Sequence, residues 1–246
     1  MSLDPASADS AAPGAPLVPR FPIRLRDTEV FTVVYRTRRE AIERLLPVQL
    51  EARGTLLAVH LYRMHDAEWF GSYGESAVHI PVEHRASGTS GVYSPFLFVE
   101  SDGAVAAGRE IYGQPKKCGH IEIGSEGDLL VGRLWRNGID VATATMAYKQ
   151  QRGDSDSLVR HVDFRTNINV KMIPAVDGQG ESVREITART FADVEIHEVW
   201  VGHATLELRP NAQAPVYLLP VEEVVEGYYW RADFSLVHGT VLEQVD

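Results

Sequence analysis

From Glu29 onward, apolar and polar positions alternate along the chain with a period of two. A strand turns successive side chains to opposite faces, so this period predicts half-buried strands. Val30–Tyr35 opens the series and is rich in β-branched and aromatic residues. Further strands are predicted at Leu56–Tyr62, Ala77–Val82, Val92–Val99, His120–Ile123, Leu129–Trp135 and Val141–Tyr148. The second half adds Leu158–Met172, Glu185–Trp200, Thr205–Leu208 and Tyr228–Val237. Between Val141 and Met146, small residues alternate with hydroxyls, which suits a closely packed strand. Gly127, Asn137-Gly138, Asp154, Asp177-Gly178 and Asn211 punctuate these runs as turn signals.

One helix is well marked. Thr37 and Glu40 have capping-box spacing, Ile42, Leu45 and Leu46 recur at helical intervals, and Pro47 ends the segment. A second helix, interrupted near Pro220, is predicted from Val216 through Val225, and a last helical turn or two at Thr240–Val245. Many short strands with few helices predict a mainly β (α+β) fold, a closed or strongly curved antiparallel sheet with peripheral helices. No repeat or composition break follows residue 21, so residues 21–246 read as one domain. Residues 1–20, rich in Ala, Ser, Gly and Pro, read as a disordered N-terminal arm.

Composition narrows the function classes. A hydrophobic fraction of 44% and a charged fraction of 24% over 246 residues exclude disorder of the whole chain. A net charge of −10 argues against a general nucleic-acid or anionic-membrane binder, since both need a basic face. The single cysteine, Cys118, excludes an intramolecular disulfide and any multi-cysteine metal site. No run approaches the roughly 18 apolar residues of a membrane span, and the N-terminus lacks a basic start and an apolar run. A soluble cytoplasmic protein is expected.

Standard catalytic motifs are missing: no phosphate-binding glycine loop, no Gly-x-Ser-x-Gly elbow, no paired-histidine zinc helix. On strands, His60 and His65 would face opposite ways, as would His79 and His84, so no metal site is expected. The informative segment is Gly108-Arg109-Glu110-Ile111-Tyr112-Gly113-Gln114-Pro115-Lys116-Lys117-Cys118-Gly119. Read by itself, Lys-Lys after a proline is a solvated loop, because lysines are seldom fully buried.

This run resembles the Schiff-base segment of the acetoacetate decarboxylase family. The likeness extends in order through Val34-Tyr35-Arg36-Thr37, Met64-His65-Asp66, Tyr73-Gly74-Glu75-Ser76, Val141–Met146, His197-Glu198-Val199-Trp200 and Leu219-Pro220-Val221. The resemblance implies a cone-like antiparallel β-barrel, assembly into homo-oligomers, and a cofactor-independent lyase that decarboxylates acetoacetate or a related β-keto acid. It assigns Lys116 as the imine-forming lysine and Glu75 as a proton-moving glutamate. Arg109 and Glu110 match as well, with an ion-paired structural role as the alternative. Gln114, in the same segment, is a substrate-binding candidate.

The chemistry can be checked physically. A free lysine is neutral in only about one molecule in 2,500 at pH 7, and only the neutral amine attacks a carbonyl. Acetoacetate decarboxylase is itself a standing example of a lysine activated by desolvation or by a neighbouring cation. If the segment is extended, Lys117 faces away from Lys116, so desolvation is expected to be the main cause. Lys117 is then structural or paired outside the site.

Two positions depart from the family. Thr28 stands where an arginine is thought to engage the substrate carboxylate, and His60 stands where there is a second glutamate. A threonine cannot give a carboxylate the bidentate charged pair that arginine gives. His60, Arg63 or Arg36 is then expected to supply the cation. Related members that keep the lysine act as aldolase–dehydratases or hydratases on 2-oxo acids, which is the alternative activity. Tyr228 and Tyr229 are candidate proton-handling phenols, with packing as the competing role. A ligand-binding barrel without turnover is the third alternative, disfavoured because a binder has no use for a buried amine.

Overall fold

The computed structural model describes residues 17, 19–161 and 163–245, so most of the expected N-terminal arm lies outside the described residues. The chain opens in β1 (Ile23–Arg36), turns through α1 (Arg39–Glu43), and continues into β2 (Leu50–Ala52), β3 (Leu56–Ala67), β4 (Gly71–His84) and β5 (Ser90–Val99). Helix α2 (Asp102–Ala107) runs directly into a π-helical turn, Gly108–Tyr112, before β6 (Lys116–Cys118). Next come β7 (His120–Glu126), β8 (Leu129–Arg136), β9 (Ile139–Ala147), β10 (Gln151–Arg152) and α3 (Ser155–His161). The last part holds β11 (Thr166–Pro174), β12 (Glu181–Thr190), β13 (Ala192–Gly202), β14 (Ala204–Leu208), β15 (Glu223–Leu236) and β16 (Thr240–Gln244).

The strands build two sheets. In the larger the order is β10-β13-β15-β1-β3-β4-β5-β11-β12-β16, with β2 beside β4 and β6 beside β5. The smaller runs β14-β9-β8-β7. The fold is mainly β, as the period of two predicts. A closed or strongly curved sheet is expected from the pattern, and the hydrogen-bonded order does not return from β16 to β10 among the described residues.

Strand β1 shows how the alternating pattern sorts side chains. Phe31, Val33 and Tyr35 are fully buried on one face and share a core with Val59 and Leu61 of β3 and with residues of the smaller sheet. Phe31 and Leu61 close directly over Gly132 of β8, where an added β-carbon would lie 2.8 Å from Phe31. Burying each such side chain contributes about 1.5–3 kcal/mol. Val30, Thr32 and Val34 turn to the other face, opposite Tyr62, His60 and Ala58 of β3. That face continues through Glu75, opposite Tyr62, to Leu97 of β5, which pairs with Lys116 of β6. The second face carries the candidate chemistry.

Several predicted elements differ. Helix α1 begins only after Arg38, because the Thr37 hydroxyl donates to the Pro220 carbonyl at 2.6 Å rather than capping the helix. The predicted helix at Val216–Val225 is a three-residue 3₁₀ turn, Val216–Leu218, followed by β15 from Glu223. Pro220 has no backbone N–H to carry a helix onward. Thr240–Gln244 is a strand on β12, not a helical turn, because its backbone finds a ladder there. Leu158–Met172 divides into α3 and β11: the Asp154 carboxylate accepts from the Ser157 amide and starts a helix where a strand was expected. Helix α2 was not foreseen, since six residues show no period; Ser101 caps it by accepting from the Ala104 amide.

Candidate active site

The approach to Lys116 is a tight reversal with specific residue requirements. After the π-helical turn, Gly113 adopts φ +80°, and a β-carbon there would lie 2.3 Å from the Lys171 Cα. Both the left-handed conformation and the close backbone approach demand glycine. The Gln114 amide then donates to the Gly108 carbonyl at 2.9 Å, and the Lys116 amide to the Gln114 carbonyl at 2.8 Å. This turn lays β6 alongside β5 and aims Lys116 at the second face.

Lys116 is 8% exposed. Its Nζ donates to Glu75 Oε2 at 2.9 Å. Both side chains line a small cavity of about 30 Å³, shared with apolar walls from Leu25, Met64, Phe70 and Phe234 and with Gln114. Gln114 is held in turn, its Nε2 donating to Asn167 Oδ1 at 3.0 Å. Glu75 therefore lies within proton-transfer reach of the amine in a site that excludes bulk water.

Neighbouring groups support this pair. Burial, with Glu75 adding to it, pushes the Tyr62 and Tyr73 hydroxyls well up, so both stay neutral. Glu100 organises the strand next to Glu75: it accepts from the amides of Gly74 at 2.7 Å and Ile121 at 3.0 Å, from His120 at 2.7 Å and from Arg63 at 3.1 Å. Burial pushes the Glu100 carboxyl up, but these partners together hold it below its ordinary range.

A buried arginine completes the cavity wall. Arg189 of β12 is 6% exposed and packs its guanidinium 3.9 Å over Phe191, which also lines the cavity. Burial lowers its pKa, while Tyr112 and Glu75 counter that shift. The strand pattern around it, Ile186 and Ala188 against Thr187 and Arg189, shows a shared face. All four are buried, so alternation alone does not mark which pair faces the cavity.

The remaining predicted site residues divide sharply. Lys117 is exposed on the opposite face, its Nζ donating to the Gln213 carbonyl at 3.2 Å. Arg63 lies away from the cavity, ion-paired to Glu100 at 3.1 Å. Arg36 pairs with Glu223 at 3.0 Å. Tyr229 faces the other core, with Lys149 4.9 Å over its ring, and Tyr228 bonds to His161 and Glu226. Thr28 is fully buried, its hydroxyl without a hydrogen-bond partner among the described residues, but it does not line the cavity.

His60 is fully buried on the second face, also outside the cavity wall. The Trp230 indole N–H donates to Thr32 Oγ1 at 2.9 Å, and the same hydroxyl shares a hydrogen bond with His60 Nδ1 at 2.8 Å. His60 Nε2 is buried without a hydrogen-bond partner among the described residues. Burial lowers its pKa to about 3, and burial next to His60 and Arg189 takes His79 well below the usual value. A neutral His60 offers no cation to a carboxylate at neutral pH. Among the described residues, no group of three or more His, Cys, Asp or Glu is placed to hold a metal ion, and no helix is long and apolar enough to cross a membrane.

Comparison with known proteins agrees with this geometry. The acetoacetate decarboxylase family model matches residues 5–245. The chain is 36% identical over 227 residues to acetoacetate decarboxylase 3 of Mesorhizobium japonicum, covering 92% of this chain and 87% of that protein. It is 35% identical over 228 residues to the acetoacetate decarboxylase of Clostridium acetobutylicum, covering 93% and 92%. A solved acetoacetate decarboxylase structure superposes with a TM-score of 0.89 at 34% identity, covering 96% of this chain and 95% of that one.

Proposed function

The chain belongs to the acetoacetate decarboxylase family, a family of lyases, and from that premise we propose that it decarboxylates acetoacetate or a closely related β-keto acid through an imine on Lys116. The observation that carries this reading is the contact of Lys116 Nζ with Glu75 Oε2 at 2.9 Å inside a mostly apolar cavity.

The steps follow from that pair. Glu75 takes a proton from the Lys116 ammonium, and the freed amine attacks the ketone carbon. Loss of water leaves an iminium. The bond to the carboxylate then breaks, carbon dioxide departs, and its bonding electrons flow to the iminium nitrogen as an enamine. Protonation at carbon, with Glu75 as the nearest acid, regenerates the imine, and water releases the ketone and the free lysine. The iminium is itself the electron sink, so no cofactor is invoked.

The surroundings extend the proposal. Lys117 is structural, tying β6 to the Gln213 carbonyl, and Gln114 positions the substrate while Asn167 holds it. We further propose a symmetric homo-oligomer working in the cytoplasm on a small keto acid, with neither nucleic acid nor membrane as partner, and with strands curved into the family's cone-like barrel. Light scattering that finds a stable monomer near 27.3 kDa would count against the assembly.

The decisive experiment incubates the enzyme with acetoacetate and borohydride while measuring carbon dioxide. Carbon dioxide release, with the reduced adduct on the peptide holding Pro115-Lys116-Lys117 and fragmentation placing it on Lys116, is expected. Lys116→Ala should abolish both. Label on Lys117, or condensation of pyruvate with an aldehyde without carbon dioxide release, would overturn the decarboxylase reading. The latter outcome would establish the aldolase alternative.

A further inference from the structure

We propose that Arg189 holds the substrate's carboxylate, filling the role that Thr28 cannot. The inference rests on the imine reading of Lys116, and it assigns the acidic end of the substrate to β12. Three observations carry it.

Arg189 lines the same cavity as Lys116 and Glu75, so a molecule bonded to one is within the compass of the others. Its Nε and Nη1 are buried without a hydrogen-bond partner among the described residues. An unpaired buried guanidinium N–H is costly, and a carboxylate is the acceptor that best matches guanidinium geometry. Finally, the charged residues lining the cavity are Lys116, Arg189 and Glu75, two cations against one carboxylate. Glu75 is already bonded to Lys116, which leaves Arg189 as the group needing an anion.

The other arginines considered have partners elsewhere. Arg63 is engaged by Glu100 and Arg36 by Glu223. Arg189 instead rests on Phe191 and lies 5.8 Å from the Tyr112 ring centroid, aromatic surfaces that steady a guanidinium without neutralising it. A carboxylate held there lies beside the carbonyl that Lys116 attacks, so the site selects keto acids over simple ketones.

The test compares a carboxylate with a neutral ligand. Arg189→Met and Arg189→Lys are prepared, and each is checked for wild-type secondary structure by circular dichroism. Acetone, which has no carboxylate, should still be trapped on Lys116 by borohydride within a few-fold of wild type in both variants. KM for acetoacetate should rise about 10- to 100-fold in Arg189→Met and less in Arg189→Lys. Butyrate, which has no carbonyl to react, should raise the melting temperature of the wild type but not of Arg189→Met. Unchanged KM in Arg189→Met, or an equal butyrate shift in both proteins, would overturn the assignment. So would loss of acetone trapping in a folded Arg189→Met, since Arg189 would then serve the lysine and not the carboxylate. Failure of the wild type itself to trap acetone or acetoacetate would instead sink the imine reading, and the butyrate comparison would still judge Arg189.

Discussion

A β-carbon on Gly108 would lie 2.5 Å from Cδ and 2.9 Å from Cε of Lys116. The backbone of Gly108 is ordinary right-handed helix, φ −63° and ψ −46°, so alanine is excluded by the lysine and not by conformation. The glycine is the floor on which the lysine side chain lies. Gly108→Ala should therefore displace the amine while leaving the fold nearly intact. A displacement of about 1 Å is worth roughly 100-fold in rate. Expected are a fall of at least about 10-fold in kcat/KM, slower borohydride trapping, and a small change in melting temperature. A variant with wild-type trapping kinetics would refute this role.

Glu75 should act by charge and not by shape. Glu75→Gln keeps the volume but removes the proton acceptor, and kcat should fall by about 100- to 10,000-fold. The same change strands a buried cation, so the variant should also lose stability. In Glu75→Gln with Lys116→Met that cation is gone, and the double variant should melt above the Glu75→Gln single variant. Equal melting temperatures would mean that Lys116 is not charged beside Glu75 in the resting protein.

Lys117→Ala separates two accounts of lysine activation. Lys117 is exposed and turned to the opposite side of β6 from Lys116. The burial of Lys116 does not depend on it, so imine labelling should stay within a few-fold of wild type. Loss of imine labelling in a folded Lys117→Ala would show that repulsion between the lysines is what frees the amine.

Acid should destabilise the protein through its buried histidines. Burial lowers the pKa of His60 to about 3, against an ordinary value near 6.5, so the unfolded chain takes up a proton that the folded one refuses. This contribution is fully present above about pH 6.5 and is lost as pH falls toward 3, by up to about 1.4 kcal/mol per pH unit. His79 acts in the same direction. Urea melts at pH 7, 6, 5 and 4 should show the decline, and His60→Gln should flatten it. An identical slope in that variant would locate the acid sensitivity elsewhere.

Much of this was legible along the chain. The period of two marked most strands, because alternation is a local property that each strand carries by itself. It also put Lys116 and Lys117 on opposite faces as soon as β6 was extended, and the ordered motifs singled out Lys116 and Glu75. What local pattern could not do was say which face turned inward. The same alternation placed Arg63 outward against Glu100 and left His60 inside without charge, reversing the cations expected to hold a carboxylate. Arg189 came to the cavity wall because β12 pairs with β11 and β11 with β5, beside which β6 lies. Helix α2 and the C-terminal strand escaped for a related reason: one is too short to show a period, and the other is a strand only because β12 offers it a ladder. The sequence by itself determined most of the strands and, through its ordered motifs, the choice of Lys116 and Glu75 as candidates; pairing between distant segments decided which arginine is buried beside them.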